Sequence, residues 1–175
     1  GVGMTGIPVV NVNNNCATGS SALWLARNAV ASGRVDCALA FGFEQMRPGA
    51  LVEHWTDLPG PLEPFNRLTD EVGYDGDVPM APMMFGGAGI EHQRRWGTSD
   101  EAFAMIRAKA SRHAVHNQRA IFRKEVSVDE VMASPKVTRL LTRLQCCPPT
   151  CGAAAAIVVS PDFARRHGID TRVAI

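Results

Sequence analysis

One cysteine, Cys16, lies where an extended apolar segment gives way to a predicted helix, within residues 13–21, which read NNNCATGSS. A thiolate is a strong nucleophile, and the unpaired N–H groups and positive dipole at a helix N-terminus favour thiolate over thiol. Small neighbours on the helical side would let a substrate approach. The position therefore predicts a nucleophilic cysteine; the alternative is a small buried apolar side chain, which is common for free cysteines.

The elements around this cysteine predict an α/β fold. Pro8 to Val12 is rich in β-branched residues and is typical of a strand, whereas Ser20 to Ser32 carries Ala and Leu without Pro and ends at a glycine. A short apolar run, residues 36–42, follows directly. Strand, helix and strand in this order predict a βαβ unit in a sheet covered on both faces, with Cys37 in the core.

The middle of the chain changes in composition. Residues 47–82 alternate Pro with Gly and acidic residues and show no helical or strand period. A segment of that length inside a compact domain is usually functional. Helices are predicted over residues 83–96 and from Ser99 to about Asn117, the second with acidic residues in its first turn and basic residues in its last. We expect both helices to act as lids.

The last part of the chain carries local helix and strand signals. Ser127 and Glu130 have the spacing of a capping box and predict a short helix ending near Ser134. Residues 152–159 predict a buried strand. Residues 160–168 then offer a Ser N-cap, a Pro at the first helical position and a terminal Gly, which predict a final helix.

Composition excludes several classes of partner. The 175 residues carry 18 basic and 17 acidic side chains, for a net charge of +1. This balance gives no field that would recruit nucleic acid, and no apolar run is long enough to insert into a membrane. The N-terminus lacks a signal-peptide pattern, and the five cysteines follow no secreted disulfide spacing. We therefore expect a cytoplasmic protein with reduced cysteines.

Three apparent ligand-binding motifs lack the neighbouring residues or elements that such motifs require. Residues 1–6 have the spacing of a dinucleotide fingerprint, but no strand precedes them and no helix follows. The glycine-rich residues 86–89 lack the Lys-Ser/Thr ending of a P-loop and predict close helix packing instead. Cys146, Cys147 and Cys151 form no Cys-x-x-Cys pair and have no nearby His. We expect no metal and no permanently bound cofactor.

Five segments resemble the thiolase superfamily, specifically thiolases of the sterol-carrier-protein type, and they occur in the family's order. They are residues 13–20, 81–92, 129–134, 144–148 and 152–157. The resemblance implies a partial thiolase fold: βαβ units of a mixed sheet with an inserted, mostly helical loop domain. It assigns residues 1–46 to the first part of the N-terminal α/β domain, 47–145 to the loop domain and 146–175 to the return to the core. The chain resembles a central fragment that lacks the C-terminal half.

The resemblance also implies a reaction. Cys16 would attack the 3-oxo carbon of a 3-oxoacyl-coenzyme A, acetyl-coenzyme A would leave, and a second coenzyme A would take the acyl group as co-substrate. Met84 and Phe85, with Cys147 and Pro148, match segments that line the acyl and pantetheine channel in the family. Thiolases of this kind associate through the sheet, so a homodimer is expected.

The chain departs from the thiolase pattern in two respects. The family supplies its catalytic base and second cysteine from a C-terminal half, and no Gly-His-Pro motif is present here. Cys151 stands where the resemblance leads us to expect an acidic residue. Two alternatives to a thiolase stay open: an aldol-type coenzyme A-ester lyase with the thiolase fold, and a non-catalytic carrier of acyl-coenzyme A or lipid. We expect these 175 residues alone to be inactive.

Overall fold

A computed structural model describes residues 3, 5–49, 57–60, 62–72, 78–170 and 173–175. The chain divides into two compact units, one formed by residues 1–51 and 149–175 and the other by residues 52–148. Each unit is built around its own small core. The assignment of the sequence segments to particular parts of the thiolase fold stays a prediction.

The first unit is a helix packed on a two-stranded sheet. Helix α1 spans Thr18–Ala31, strand β1 Cys37–Glu44 and strand β2 Gly152–Val159, and helix α6 spans Pro161–His167. The strands run antiparallel, with register from Cys37 opposite Val159 to Glu44 opposite Gly152. Alternate residues of a strand point to opposite faces, and Ala40 and Val158 pack with Ala26 of α1 to form the core.

The α/β class is confirmed, whereas parts of the predicted βαβ unit are not. Residues 8–12 form no strand in the described part of the chain, and they have no described neighbouring strand to pair with. The β1–β2 pair is antiparallel. Cys37 is exposed rather than in the core, because it lies on the face of β1 turned away from α1. Strand β2 has the predicted bounds, but of its residues only Val158 is buried.

The second unit is helical. It contains α2 (Glu63–Val72), α3 (Met80–Trp96), α4 (Asp100–Ala114), α5 (Val128–Ala133) and a 3₁₀ turn at Arg143–Gln145. Helix α2 lies inside the stretch in which the sequence showed no period, so that expectation is wrong. The helices predicted at 83–96 and 99–117 are confirmed as α3 and α4, and the Ser127 capping box opens α5 as predicted.

The glycines of α3 permit close packing, as their spacing predicted. A Cβ atom on Gly86 would lie 2.7 Å from Thr138 Oγ1, and one on Gly89 would lie 2.3 Å from Leu140 Cδ2. Residues 136–142 therefore rest directly on the helix backbone. Elsewhere in the unit, Ala104 of α4 packs with Val126 and Val131.

Candidate functional site

The segment before α1 is a tight turn built from asparagine and threonine. Ala17 N–H donates to the carbonyl of Asn14 at 3.0 Å. Thr18 Oγ1 accepts from Asn14 N–H at 2.8 Å and donates to the carbonyl of Asn15 at 2.7 Å. Asn15 has a φ of 46°, a left-handed conformation that Asn adopts more readily than most residues. The turn therefore holds Cys16 between a left-handed residue and the start of a helix.

The side chains of Asn13 and Asn14 stabilise this turn, one by a hydrogen bond within the turn and the other by a hydrogen bond to helix α1. Asn14 Nδ2 donates to Ser21 Oγ at 3.0 Å, one turn into α1. Asn13 Oδ1 accepts from Asn15 N–H at 3.3 Å. Short polar side chains that bond their own backbone are the signature of such turns, so the NNN run already carried this signal in the sequence.

Cys16 is exposed and lies two residues before the first residue of α1. The sequence predicted a helix from Ser20; the helix starts at Thr18, and Ala17 is the N-cap. No acidic residue stands in the first turn of α1, so no nearby carboxylate on that turn offsets the positive end of the helix dipole. The thiol is therefore accessible and close to a helix N-terminus.

Cys16 borders an open groove in the first unit, with a volume of about 1180 Å³. Its lining comes from the turn, the N-terminal part of α1 and both strands: residues 12, 13, 15, 16, 18, 19, 23, 40–44, 46 and 150–156. The groove thus combines an apolar floor of Ala, Gly and Phe with a few polar groups.

The polar groups of the groove include Glu44 and a second thiol, Cys151. The Glu44 carboxylate accepts from Gln45 N–H at 3.0 Å. Cys151 Sγ donates to the carbonyl of Met46 at 3.7 Å, a weak contact between the residue before β2 and the segment after β1. Neither Glu44 nor Cys151 was predicted from the sequence as a site residue. Cys151 was noted only because it departs from the acidic residue that the thiolase pattern leads us to expect.

The four residues assigned to substrate binding lie in the second unit. Met84 is half-buried on α3, and the neighbouring Phe85 is 71% exposed. Cys147 is exposed and Pro148 is half-buried, both just after the 3₁₀ turn. An exposed aromatic side chain is available for ligand contact, but the channel role of all four residues stays a prediction.

Two histidines of the chain make aromatic contacts. The ring of His92 lies 4.6 Å from that of Trp96 and 6.2 Å from that of Phe103, between ring centroids. His167 stacks on Phe163 at 4.3 Å. Among the described residues, no group of three or more His, Cys, Asp or Glu side chains is placed to hold a metal ion. Cys16 therefore stands as the clearest candidate for chemistry.

The fold and the cysteine turn correspond to a known family. Residues 1–162 match the family described as thiolase, N-terminal domain. The chain belongs to this thiolase family. The sterol-carrier-protein character of the resemblance is supported as well, because curated relatives of that name match nearly the whole chain.

The relatives are longer than this chain. Sterol carrier protein 2 of Gallus gallus is 46% identical over 167 residues, which cover 95% of this chain and 30% of the relative. Sterol carrier protein 2 of Homo sapiens is 46% identical over 172 residues, covering 98% and 31%. Acetyl-CoA acetyltransferase of Methanothermobacter thermautotrophicus is 33% identical over 165 residues, covering 94% and 41%. The chain thus spans about a third of the length of these relatives.

A solved structure supports the fold. The Ltp2-ChsH2(DUF35) aldolase superposes with a TM-score of 0.66 at 19% identity, over 84% of this chain and 36% of that chain. At this identity the likeness bears on the fold alone. In the described part of the chain, no helix has the length and apolar character needed to cross a bilayer.

Proposed function

We propose that the protein is a 3-oxoacyl-coenzyme A thiolase in which Cys16 is the acyl-accepting nucleophile. The observation that carries the proposal is the position of Cys16: an exposed thiol at a helix N-terminus, bordering an open, largely apolar groove. Membership of the thiolase family supports it, as does the similarity to a relative named acetyl-CoA acetyltransferase. The chain covers about a third of its relatives, so this proposal concerns the whole protein.

The reaction would proceed in two steps. Cys16 thiolate attacks the 3-oxo carbon, the bond between C2 and C3 breaks, and C2 takes a proton as acetyl-coenzyme A leaves. The acyl group then stands as a thioester on Cys16. The thiolate of a second coenzyme A attacks that carbonyl, forms acyl-coenzyme A and releases Cys16. The groove accommodates the acyl chain, and its open side leaves room for the carrier.

The residues assigned to the other functions complete the proposal. Met84, Phe85, Cys147 and Pro148 are proposed to contact the acyl and pantetheine parts of the substrate, with coenzyme A as co-substrate and no resident cofactor. The groups that remove and supply protons are not assigned to this chain. A homodimer is proposed on the family resemblance, with a second copy of the same chain as partner.

The test is intact-protein mass spectrometry after mixing the purified protein with acetoacetyl-coenzyme A. We expect one acetyl group per chain, lost after mild hydroxylamine treatment because a thioester is labile to it. Cys16→Ser should carry no adduct. Cys37→Ser is the matched control, because it removes another exposed cysteine of the same unit, and it should retain the adduct.

Other results would contradict the proposal in distinct ways. An adduct that persists in Cys16→Ser would place the nucleophile elsewhere. Substrate cleavage without any adduct, equally fast in Cys16→Ser, would favour the lyase. Binding of acyl-coenzyme A without cleavage or adduct would favour a carrier, the role that the name of the sterol carrier relatives suggests.

A further inference from the structure

The first unit contains three cysteines, and the architecture brings two of them to one end of it. Helix α1 leads through a short turn at residues 32–36 into β1, which returns along the helix. The N-terminal end of α1 and the C-terminal end of β1 therefore lie at the same end of this layer. Glu44 at the end of β1 pairs with Gly152, the first residue of β2, so Cys151 lies just before the neighbouring strand at that end.

Cys16 and Cys151 border one groove, and each is exposed. Cys37 starts β1, and the seven residue steps from Cys37 to Glu44 place it about 23 Å away at the far end of the sheet. Cys37 can therefore pair with neither of the other two.

Both thiols lie outside the helices and strands of the unit. A disulfide needs Cα atoms about 4.4–6.8 Å apart. Cys16 lies outside α1, in the turn before it, and Cys151 lies one residue before β2. A bond between them would draw on movement of these flanking segments, and on the Cys16 side it would alter the hydrogen-bonded turn before α1. Cys151 gives up only a 3.7 Å sulfur contact to the carbonyl of Met46.

We propose that Cys16 and Cys151 form a reversible disulfide that closes the groove and removes the nucleophile when the protein meets a peroxide. Cys16 thiolate attacks one oxygen of hydrogen peroxide, the O–O bond breaks, and a sulfenic acid and hydroxide form. Cys151 thiolate then attacks the sulfenic sulfur, the S–S bond forms, and hydroxide leaves. In sum, two thiols and one peroxide give one disulfide and two waters, and a dithiol reverses the change.

The disulfide has a functional consequence that rests on the proposed function: while it holds, Cys16 can accept no acyl group. It also protects the nucleophile. A sulfenic acid with no resolving thiol nearby oxidises further to sulfinic acid, which is not restored by thiols. An acidic residue at position 151, which the family resemblance leads us to expect, could not resolve the sulfenic acid. Position 151 thus determines whether oxidation of Cys16 is reversible.

The test maps the bond directly and does not involve a substrate. Trypsin leaves Cys146, Cys147 and Cys151 on one peptide, because no Lys or Arg lies between Arg143 and Arg165. The measurement is therefore made on the purified Cys146→Ser/Cys147→Ser protein as well as on the native protein. Each is treated with hydrogen peroxide, its free thiols are alkylated, and the digest is analysed by mass spectrometry.

We expect a cross-linked pair of the peptides carrying Cys16 and Cys151, a loss of two alkylated thiols, and full recovery with dithiothreitol. Cys37→Ser should behave as the native protein does. Cys151→Ser and Cys151→Asp should give no cross-link and should accumulate sulfinic acid on Cys16. The proposal is overturned if Cys16 and Cys151 both stay alkylatable, or if Cys16 is sulfinylated equally with and without Cys151.

The two proposals can fail separately. A cross-link in a protein that forms no acyl adduct would refute the thiolase proposal and leave the disulfide standing. An adduct in a protein that forms no cross-link would do the reverse.

Discussion

Ser111 on α4 and Val126 on the segment leading into α5 are joined through one buried hydroxyl. Ser111 Oγ accepts from Val126 N–H at 3.0 Å and donates to the carbonyl of Ala108 at 2.7 Å. Both residues are buried, and Ser111 has no accessible surface. A backbone N–H removed from water must find a partner inside the protein, so this serine holds the segment against the helix.

Replacing Ser111 with alanine should therefore destabilise the second unit. Ser111→Ala leaves Val126 N–H buried without its acceptor, at a cost of about 1–3 kcal/mol. Urea unfolding followed by circular dichroism would show a lower midpoint. Ser20→Ala removes an exposed helical serine and should stay within about 0.5 kcal/mol of the native protein. Equal losses of unfolding free energy from Ser111→Ala and Ser20→Ala would contradict the role of the Ser111 hydroxyl as the acceptor for Val126 N–H.

Replacing Gly86 with a larger residue should destabilise the protein, whereas the same replacement at Gly19 should be tolerated. A Cβ on Gly86 would meet Thr138 at 2.7 Å, and Thr138 Oγ1 already accepts from Leu141 N–H at 2.8 Å, so it is not free to move away. We expect Gly86→Ala to lose about 1–2 kcal/mol, because overpacking outweighs the helix preference of alanine. The measurement is the free energy of unfolding in urea.

Gly19→Ala is the matched control in the first unit. Apart from its chain neighbours and the backbone of its own helix, no atom lies within 4 Å of the position that its Cβ would take. Stability should be unchanged or raised by up to about 1 kcal/mol, since alanine restricts the unfolded chain more than glycine does. A Gly86→Ala protein as stable as Gly19→Ala would show that residues 136–142 do not rest on α3 as described.

The sequence predicted those features that depend on neighbouring residues. The Ser127 cap, the Ser160 cap and the glycine packing of α3 are signals carried by three or four adjacent positions, and the structure confirms each. Cys16 was recognised in the same way, from its turn and the helix after it. Its role as nucleophile stays a prediction.

Features that depend on long-range pairing were not predicted from the sequence. Cys151 reaches the groove through the register of Glu44 with Gly152, more than a hundred positions apart in the chain. Cys37 was placed in the core because a short apolar strand was assumed to be covered on both faces, and α1 covers only one in the described residues. Helix α2 begins with Glu63 and Pro64, a start signal that the surrounding prolines obscured.

Stability of the first unit should depend on the ionisation of Asp36. The hydroxyl of Ser160 donates to this carboxylate at 2.8 Å and the guanidinium of Arg166 donates at 3.0 Å, and together they lower the pKa of Asp36. A folded-state pKa below the unfolded value, about 3.9, stabilises the protein above that value. The contribution is lost as pH falls through the folded pKa.

Asp36→Asn tests this dependence. The variant should be less stable than the native protein near neutral pH, and the difference should disappear as pH falls through the folded-state pKa of Asp36, where the native carboxyl is protonated as well. The effect is small because the groups are exposed. A constant difference between Asp36→Asn and native protein at all pH values would contradict the ionic origin.

The adjacent thiols Cys146 and Cys147 should differ in reactivity. Burial raises the pKa of Cys146, the neighbouring Cys147 raises it further, and Cys146 Sγ donates to the carbonyl of Thr142 at 3.5 Å. Cys147 is exposed. Because the thiolate is the reactive form, iodoacetamide at about pH 8 should alkylate Cys147 several-fold faster than Cys146 in the folded protein.

Each thiol is measured alone: Cys146 in the Cys147→Ser variant, and Cys147 in the Cys146→Ser variant. Each thiol then serves as the control for the other. Timed alkylation and mass spectrometry give the two rates. In urea both thiols are solvated and the rates should become equal, since the difference arises from burial and position in the fold. If Cys146 reacts as fast as Cys147 before unfolding, its thiol is open to water, which contradicts the partial burial that raises its pKa.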